Sequence, residues 1–323
     1  MTGKKLFFVL TFALSLAALL LWLRAPAAAA ENRPVKVAYS AISAGIGGLW
    51  LTHEQGIFKK HGLDSSLIYF RSGTTAAQAL LAGEIHFGHL APGPMMTAWA
   101  QGADFAWIGT TVHKMVFTLV VEPSITRGEA LRGKKIGITR LGSAADLAAR
   151  AALEHLGLTT KDVTLISMGG IPDALTGLRA GAVQAAILSP PFSTAALDMG
   201  YRRLVFIPDL GKEFTFSGIA VKRDYLNANP ATAEAFMAAL AEGARIYTGD
   251  SRAALRVLKK YAQVDKESIL EAGYREYATA ISSPPYPSLK GLEAVRESLA
   301  ETTPVLRSVD LRKFIDDRFV KAR

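Results

Sequence analysis

The chain has no cysteine among its 323 residues. Disulfide bonds, thiolate metal sites and cysteine nucleophiles are therefore excluded. A lipid anchor on a cysteine is excluded for the same reason. The sequence also has no evident Ser-His-acid pattern and no evident pair of catalytic carboxylates. It therefore predicts a binding protein rather than an enzyme, although the members of a catalytic triad need not be close in sequence.

A clustered basic surface is also missing. The formal net charge is +9, from 37 lysines and arginines against 28 acidic residues. Removal of an N-terminal segment that contains Lys4, Lys5 and Arg24 leaves 34 against 28, or +6. This excess is spread along the chain and lacks the basic stripe with interleaved aromatic residues that nucleic-acid binding needs. We expect no nucleic acid among the partners.

Residues 1–30 have the three-part pattern of a secretory signal peptide. MTGKK is a basic start, an apolar run extends from Leu6 to Leu23, and Ala28 and Ala30 fit a small-residue cleavage site. The apolar run is also long enough to span a bilayer, so a retained membrane anchor is the alternative. In both cases we expect the rest of the chain to be periplasmic.

From Val35 onward, short β-rich runs alternate with helical segments, which predicts doubly wound, mostly parallel α/β sheets. The alternation restarts near Lys135. Residues 82–92 and 180–190 both fit A-G-x-[IV]-x-x-[GA]-x-L-x-P, at an offset of 98 positions (180 minus 82). We interpret the repeat as two lobes of similar topology, the second inserted into the first. The predicted segments are 31–120 with 218–323 for lobe 1 and 121–217 for lobe 2.

Ligands of open α/β sheets bind at the carboxyl ends of the strands. Here the loops at those positions are rich in Ser, Thr, Gly and Pro, and several lead into a helix. The first N–H groups of a helix lack an intrahelical partner and can hold a phosphate, sulfate or carboxylate. Ser72-Gly73-Thr74 and Ser143 are such starts, although helix capping alone would also explain them. We expect the starts to converge on one cleft, with Thr74 and Ser143 donating to a small anion.

Cofactor and metal sites are not expected. Gly45-x-Gly47 follows a strand, but Trp50 stands where a dinucleotide fingerprint needs its last glycine. His86 and His89 are three residues apart on a predicted strand, so their side chains face opposite ways and cannot chelate one metal ion. His89, just before a proline loop, is a candidate ligand contact.

Two arginines and several aromatic residues are further candidates, each with a structural alternative. Arg71 and Arg140 end strands and could pair with an anionic group or remain solvated. Aromatic side chains could cover an apolar part of a ligand or belong to the core. The aromatic candidates are Trp50, Phe192, Phe214 and Phe216.

Three stretches resemble the solute-binding proteins of bacterial ABC importers. They are GLWLTHEQGIFKKHGLDSSLIYFRSGTTAAQALLAGEIHFG, LRGKKIGITRLGSAADLAARAALEHLGL and GLRAGAVQAAILSPPF. The chain is similar to the subgroup that includes binders of sulfonates, taurine, nitrate and thiamine-pyrimidine precursors. It departs from many relatives at Gly48 and Leu49, where they have proline before the Trp50 segment. It also lacks the cysteine-rich motif of the related eukaryotic pyrimidine synthases.

The resemblance implies a type II periplasmic-binding-protein fold, with two α/β lobes on a two-strand hinge and no cofactor. It also implies a small-molecule solute, held in the cleft and delivered to a membrane permease. Taken together, the motifs and the resemblance give candidate ligand contacts at Ser40, Trp50, Ser72, Gly73, Thr74, His89, Ala91, Pro92, Arg140, Ser143, Ala144, Ser189, Pro191, Phe192 and Phe216.

We expect a monomer that captures a small anionic or aromatic, sulfonate-like solute. Two alternatives stay open from the sequence. One is an enzyme on the same fold that acts on a pyrimidine precursor, and the other is a membrane-tethered sensor domain.

Overall fold

The computed structural model describes residues 32–211, 214–300 and 303–320. The predicted signal peptide, residues 1–30, lies outside the described residues. Among the helices of the described ranges, none is both long enough and apolar enough to cross a membrane.

Ten strands and twelve α-helices make up the described fold. The strands are β1 (Arg33–Tyr39), β2 (Leu63–Tyr69), β3 (Phe87–Leu90), β4 (Phe105–Val112), β5 (Thr118–Val121), β6 (Lys135–Ile138), β7 (Thr164–Ser167), β8 (Ala185–Leu188), β9 (Arg202–Phe206) and β10 (Ser217–Lys222). The helices are α1 (Gly47–Glu54), α2 (Ile57–Lys60), α3 (Gly73–Leu81), α4 (Pro92–Ala100), α5 (Ala144–His155), α6 (Ile171–Arg179), α7 (Phe192–Asp198), α8 (Arg223–Ala228), α9 (Pro230–Gly249), α10 (Ser251–Ala262), α11 (Glu267–Ala278) and α12 (Leu289–Ala300).

The strands form two five-stranded sheets with the same topology. Their orders are β2-β1-β3-β10-β4 and β7-β6-β8-β5-β9. The central strand of each sheet, β3 or β8, is parallel to β1 or β6 on one side. On its other side it pairs antiparallel with a strand that has crossed from the other sheet, β10 or β5. The predicted α/β fold of two doubly wound lobes is confirmed, and one antiparallel strand in each sheet makes the sheets mixed.

Two crossovers join the sheets, the first between β4 and β5 and the second between β9 and β10. Strand β5, Thr118–Val121, pairs along its length with β8 and β9 of the second sheet. Sheet membership therefore places the first change of lobe before Thr118, whereas the sequence prediction kept residues up to 120 in lobe 1. The chain returns to the first sheet at Ser217, the first residue of β10, beside the predicted boundary.

The glycine of the repeated A-G…L-x-P segment has the same structural role in both lobes. Ala82 and Ala180 are the C-cap residues of α3 and α6, and the next residue is Gly83 or Gly181. These glycines have φ angles of 75° and 69°, in the left-handed region that glycine adopts without a Cβ penalty. Each glycine thus ends a helix and lets the chain turn into the central strand of its sheet.

The glycines of Gly45-x-Gly47 allow close packing rather than cofactor binding. A Cβ atom at Gly45 would lie 2.7 Å from the ring of Tyr277, and one at Gly47 would lie 2.2 Å from the ring of Tyr247. Both tyrosine rings are fully buried. The first loop after β1 is therefore held against α9 and α11, which fixes the position of the start of α1.

The helices after Pro230 were expected to pack on lobe 1. Helices α9 and α10 do pack against α1, and α12 packs against α4. Helix α11 differs, because it also packs on α7 of the second lobe. Lys266, the N-cap residue of α11, forms an ion pair of 2.5 Å with Asp198 of α7. This helix therefore contacts both lobes.

Candidate functional site

The carboxyl ends of β1 and β3 of the first sheet and of β6 of the second sheet meet at a small cavity between the lobes. Its volume is about 40 Å³, far below the roughly 300–1,000 Å³ of typical ligand pockets. The cleft is therefore closed in this structure. The residues that line the cavity are Ser40, Ala41, Ile46, Gly73, Leu90, Ala91, Phe117, Thr139, Ser143, Ala144, Ala145, Ile171, Phe216 and Ser217.

Ser143 presents a hydroxyl group to the cavity from the start of α5. The residue is buried, and its Oγ accepts hydrogen bonds from Thr139 Oγ1 at 2.7 Å and from the N–H of Asp146 at 3.4 Å. Two accepted hydrogen bonds use the lone pairs of a serine oxygen. The hydroxyl proton is then available to a ligand acceptor, which fits the predicted donor role.

The start of α3, in lobe 1, brings backbone N–H groups without intrahelical partners to the cavity. Ser72 caps the helix, since its Oγ accepts from the N–H of Thr75 at 3.4 Å. Gly73 follows and lines the cavity. The N–H groups of Gly73 and Thr74 belong to the first turn, which has no preceding helical carbonyl to accept them. Thr74 Oγ1 is buried without a hydrogen-bond partner among the described residues.

The start of α6 is already occupied by a carboxylate group of the protein, that of Asp173. Asp173 accepts the N–H of Gly170 at 2.9 Å. The same carboxylate pairs with Arg71 of lobe 1, so the ion pair links the two lobes beside the cavity. Arg71 therefore pairs with a resident carboxylate in the closed cleft. Because its side chain is 57% exposed, the pair is worth about 1 kcal/mol or less.

Apolar side chains form the rest of the lining. Phe117 and Phe216, one from each crossover, meet edge to face with ring centroids 5.3 Å apart. Ile46, Leu90 and Ile171 extend this surface. The cavity therefore combines a polar wall for oxygen atoms with an apolar wall, as small-molecule sites commonly do.

The lining has no charged residue, since it consists of Ser, Thr, Gly, Ala, Ile, Leu and Phe. A bound anion would then be held by neutral donors, the hydroxyl groups and the N–H groups of helix starts. An acid-base catalyst is absent from the same lining. Elsewhere in residues 32–211, 214–300 and 303–320, no three His, Asp or Glu side chains are grouped to hold a metal ion.

Comparison with known proteins gives a family. The family model described as NMT1/THI5 like matches residues 43–254. The chain belongs to the NMT1/THI5-like family. The matched range includes the lining residues of the cavity from Ile46 onward and both crossovers.

Relatives of this NMT1/THI5-like protein include named binding proteins. A binding protein of Brucella abortus (strain 2308) is 29% identical over 250 residues, or 75% of this chain and 76% of the relative. The aliphatic sulfonates-binding protein of Escherichia coli (strain K12) is 29% identical over 242 residues, or 72% of this chain and 74% of the relative. The family predicted from the sequence, that of solute-binding proteins, is therefore confirmed.

A solved structure shows the same fold. The alkanesulfonate-binding protein SsuA from Xanthomonas axonopodis pv. citri, bound to MOPS, aligns with a TM-score of 0.76 at 20% sequence identity. The alignment covers 90% of this chain and 100% of that one. The NMT1/THI5-like chain thus has the periplasmic-binding-protein fold that the resemblance implied.

The structure brings part of the predicted contact set together. Ser72, Thr74 and Pro92 lie directly beside lining residues at the starts of α3 and α4. Their roles as ligand contacts stay predictions. The predicted residues that line the cavity themselves are Ser40, Gly73, Ala91, Ser143, Ala144 and Phe216.

Trp50 and Arg140 do not line the cavity. Trp50 lies fully buried on α1, and its ring stacks on Tyr261 of α10 with centroids 4.6 Å apart. It therefore belongs to the core of lobe 1 rather than to the site. Arg140 lies two residues after the end of β6 with an exposed side chain, and its backbone carbonyl accepts the N–H of Ser143 at 3.2 Å.

His89 lies behind the cavity rather than in its wall. It is fully buried, and its Nε2 lies 2.6 Å from Thr111 Oγ1. Burial without a charged partner lowers the pKa of His89 to about 3. The ring is therefore neutral at physiological pH. His86, as expected, faces away from it and stacks on Tyr225.

Ser189, Pro191 and Phe192 do not line the cavity and instead flank Pro190, which contacts lobe 1. The carbonyl of Ser189 accepts the N–H of Phe192 at 3.0 Å, which caps α7. The neighbouring carbonyl of Pro190 accepts the N–H of Ala44 from lobe 1 at 3.1 Å. The roles of Ser189, Pro191 and Phe192 as ligand contacts stay predictions.

Sequence reasoning missed the lining residues that the crossovers supply. Phe117 and Ser217 lie next to long apolar runs, which indicated buried strands but not their position in the cleft. Thr139 directly precedes Arg140, which was a candidate from the sequence. Its hydrogen bond to Ser143 could have been anticipated from an i, i+4 pair of hydroxyl residues at a helix start.

A larger cavity of about 650 Å³ lies beside the crossovers. It is lined by α5, by residues around Met115 and Phe214, and by Ser298 of α12. The aromatic candidate Phe214 lines it, but no residue of the candidate contact set does. The cavity is not at the carboxyl ends of β1, β3 and β6. The smaller cavity is the better candidate site, because the fold brings helix starts and strand ends together there.

Proposed function

We propose that this protein is the extracytoplasmic solute-binding component of an ABC importer and captures a small oxygen-rich anion between its lobes. The observation that carries the proposal is the cavity, where the start of α5 and the start of α3 face one uncharged, hydroxyl-lined space. Helix starts favour anions by their free N–H groups and dipoles. The relatives named for sulfonate binding support this class of ligand.

The size of the cavity bears on the ligand. A closed volume of about 40 Å³ suits one compact head group. We therefore place the oxygen atoms of a sulfonate, nitrate or carboxylate group against Ser143 and the Gly73-Thr74 turn. Closure of the lobes would trap the group, and delivery to a membrane permease would follow lobe opening.

The same lining argues against the alternative of an enzyme. Acid-base catalysis needs a titratable group within hydrogen-bond reach of the substrate, and no lining residue is titratable. We also propose that the protein is periplasmic and monomeric. The N-terminus of the mature protein, read by mass spectrometry, distinguishes a cleaved signal peptide from a retained anchor.

The proposed ligand class is tested by thermal shift and calorimetry with a matched pair of probes. We expect methanesulfonate, nitrate or acetate to stabilise the protein, by about 2.7 kcal/mol at a hundredfold excess over Kd. Dimethyl sulfone, which has a similar shape but no charge, should give no shift. Equal stabilisation by the sulfone, or none by any anion of a broader panel, would refute the anion proposal.

Two helix-cap serines offer a second prediction with a built-in control. Ser143 and Ser72 cap α5 and α3 in the same way, each accepting an N–H at 3.4 Å. Either change to alanine should cost about 1 kcal/mol of stability through the lost cap. Ser143→Ala should also weaken anion binding about tenfold, since a hydrogen bond to a charged group is lost. Ser72→Ala should change the Kd less than about threefold, and an equal loss in both variants would contradict the donor role of Ser143.

A further inference from the structure

A chain of three polar side chains runs through the first sheet to the cavity. His89 Nε2 lies 2.6 Å from Thr111 Oγ1, and Thr111 Oγ1 lies 3.1 Å from Ser217 Oγ. All three residues are more than nine-tenths buried. Ser217 lines the cavity, whereas His89 does not. The chain therefore connects an interior histidine to a hydroxyl group at the site.

A β-bulge places the middle residue of this chain. In the β10–β4 ladder, Ser217 pairs with Val112, but the next residue, Gly218, pairs with Thr110. Thr111 is thus the extra residue of the bulge. Bulges re-aim a side chain and are common beside functional sites. Here the bulge, on β4, leaves the Thr111 hydroxyl within hydrogen-bond distance of both His89 on β3 and Ser217 on β10.

The surroundings of the His89 ring decide which nitrogen carries the proton. Nδ1 is buried and has no hydrogen-bond partner among the described residues. The ring borders a void of about 10 Å³, which is lined mainly by glycine and apolar residues such as Leu49 and Leu240. A buried N–H without an acceptor is rarer than a buried acceptor without a donor. The neutral ring is therefore better accommodated with its proton on Nε2.

We propose that His89 makes Ser217 a fixed hydrogen-bond donor to the ligand, which selects for acceptor groups and hence for anions. With the proton on Nε2, His89 donates to Thr111 Oγ1. Thr111 then donates to Ser217 Oγ, and the Ser217 hydroxyl proton is directed to the cavity. This inference rests on the proposed function for its ligand, and it names Ser217 as a specificity-determining contact with His89 and Thr111 as positioning residues.

Specificity depends on the donor-to-acceptor direction of the two hydrogen bonds between His89, Thr111 and Ser217. If the proton were on Nδ1, Nε2 would accept from Thr111, and Thr111 would accept from Ser217. Ser217 would then present a lone pair to the cavity and repel the oxygen atoms of an anion. A cavity without charged groups has few other means to exclude neutral donors of similar size, such as small amines or alcohols.

The binding test is a double-mutant cycle with methanesulfonate as the probe, measured by calorimetry. Ser217→Ala should weaken binding about tenfold, and Thr111→Val about fivefold, since Ser217 then loses its partner. The double variant should bind no more weakly than Ser217→Ala alone. Thr111→Ser, which keeps the hydroxyl, should restore the wild-type Kd. If the affinity losses of the two single variants simply add in the double variant, the relay, meaning the hydrogen-bond chain from His89 through Thr111 to Ser217, is overturned.

A matched control separates the relay from general packing. Thr118 is fully buried on β5, and its hydroxyl has no hydrogen-bond partner among the described residues. Thr118→Val removes a buried threonine hydroxyl outside the relay and should leave the Kd for methanesulfonate unchanged. An affinity loss equal to that of Thr111→Val would show that any such substitution perturbs the cleft, and would overturn the proposal.

The tautomer is read directly, without ligand, from ¹⁵N chemical shifts of histidine-labelled protein. Protonated and unprotonated ring nitrogens have well-separated shifts, and His89→Gln assigns the resonances. We expect Nε2 protonated and Nδ1 unprotonated at neutral pH. A proton on Nδ1 overturns the relay whether or not methanesulfonate binds. If Nε2 is protonated but no anion binds, the proposed function fails and the relay geometry stands.

Discussion

Replacement of Gly73 by valine should abolish anion capture while the protein remains folded. Gly73 lines the cavity at the start of α3. A Cβ atom there would lie 3.4 Å from Pro94 Cγ and 3.7 Å from Ser40 Oγ, which is ordinary van der Waals contact. The two further methyl groups of valine would take up most of a space of about 40 Å³. We expect the Kd for methanesulfonate to rise at least about a hundredfold, or about 2.7 kcal/mol, by calorimetry.

The chain offers a matched control in Gly249. This glycine ends α9, is exposed, and has no atom within 4 Å of the position that a Cβ would occupy. Gly249→Val introduces the same side chain into a helix end and should change neither the Kd nor the thermal midpoint appreciably. If Gly73→Val binds methanesulfonate as well as the control does, the anion does not occupy this cavity.

The fold was predictable because its signals are local. Neighbouring residues suffice to recognise the alternating strand and helix runs. They also suffice for the A-G turn that follows α3 and α6. Gly83 and Gly181 are needed for left-handed φ angles, so the repeat marks equivalent points of two sheets. The helix starts at Gly73 and Ser143 follow from the same local patterns, and the fold then brings them together at the strand ends.

Other features of the site depend on contacts that are distant in sequence. Trp50 looked like a ligand contact, but its partner Tyr261 lies more than two hundred positions later and holds it in the core. Ser217 gains its place from a bulge opposite Thr111, which alternation alone does not reveal. The change of lobe before β5 likewise depends on pairing with β8 and β9 rather than on composition.

The contacts between the lobes in the closed cleft determine how much of the free energy of closure must come from the ligand. Arg71 pairs with Asp173, and the N–H of Ala44 donates to the carbonyl of Pro190 across the lobes. The ion pair is largely exposed and contributes little. A ligand that bridges Gly73 and Ser143 would add contacts only in the closed form. Binding energy would therefore appear directly as stabilisation of closure.

Acidification should destabilise this protein, and His89→Gln should remove a large part of that sensitivity. Burial lowers the pKa of His89 from 6.5 to about 3, so the folded state resists protonation that the unfolded state accepts. The full stability is present above about pH 6.5 and is lost as the pH falls toward 3. From pH 6.5 to about pH 4.5, His89 alone should account for about 2 kcal/mol of lost unfolding free energy. Urea unfolding of both proteins over this range measures it.

Glutamine is the informative replacement because its amide can donate to Thr111 as Nε2 does, but it does not titrate. At about pH 7.5 the variant should therefore lie close to wild type, and its advantage should grow as the pH falls. His53 and His86, whose pKa values are also lowered by burial, leave a smaller slope of the same sign. His155→Gln, at an exposed position on α5, is the control and should keep the wild-type dependence. Parallel curves for wild type and His89→Gln would mean that the His89 ring is protonated, or solvated, in the folded protein.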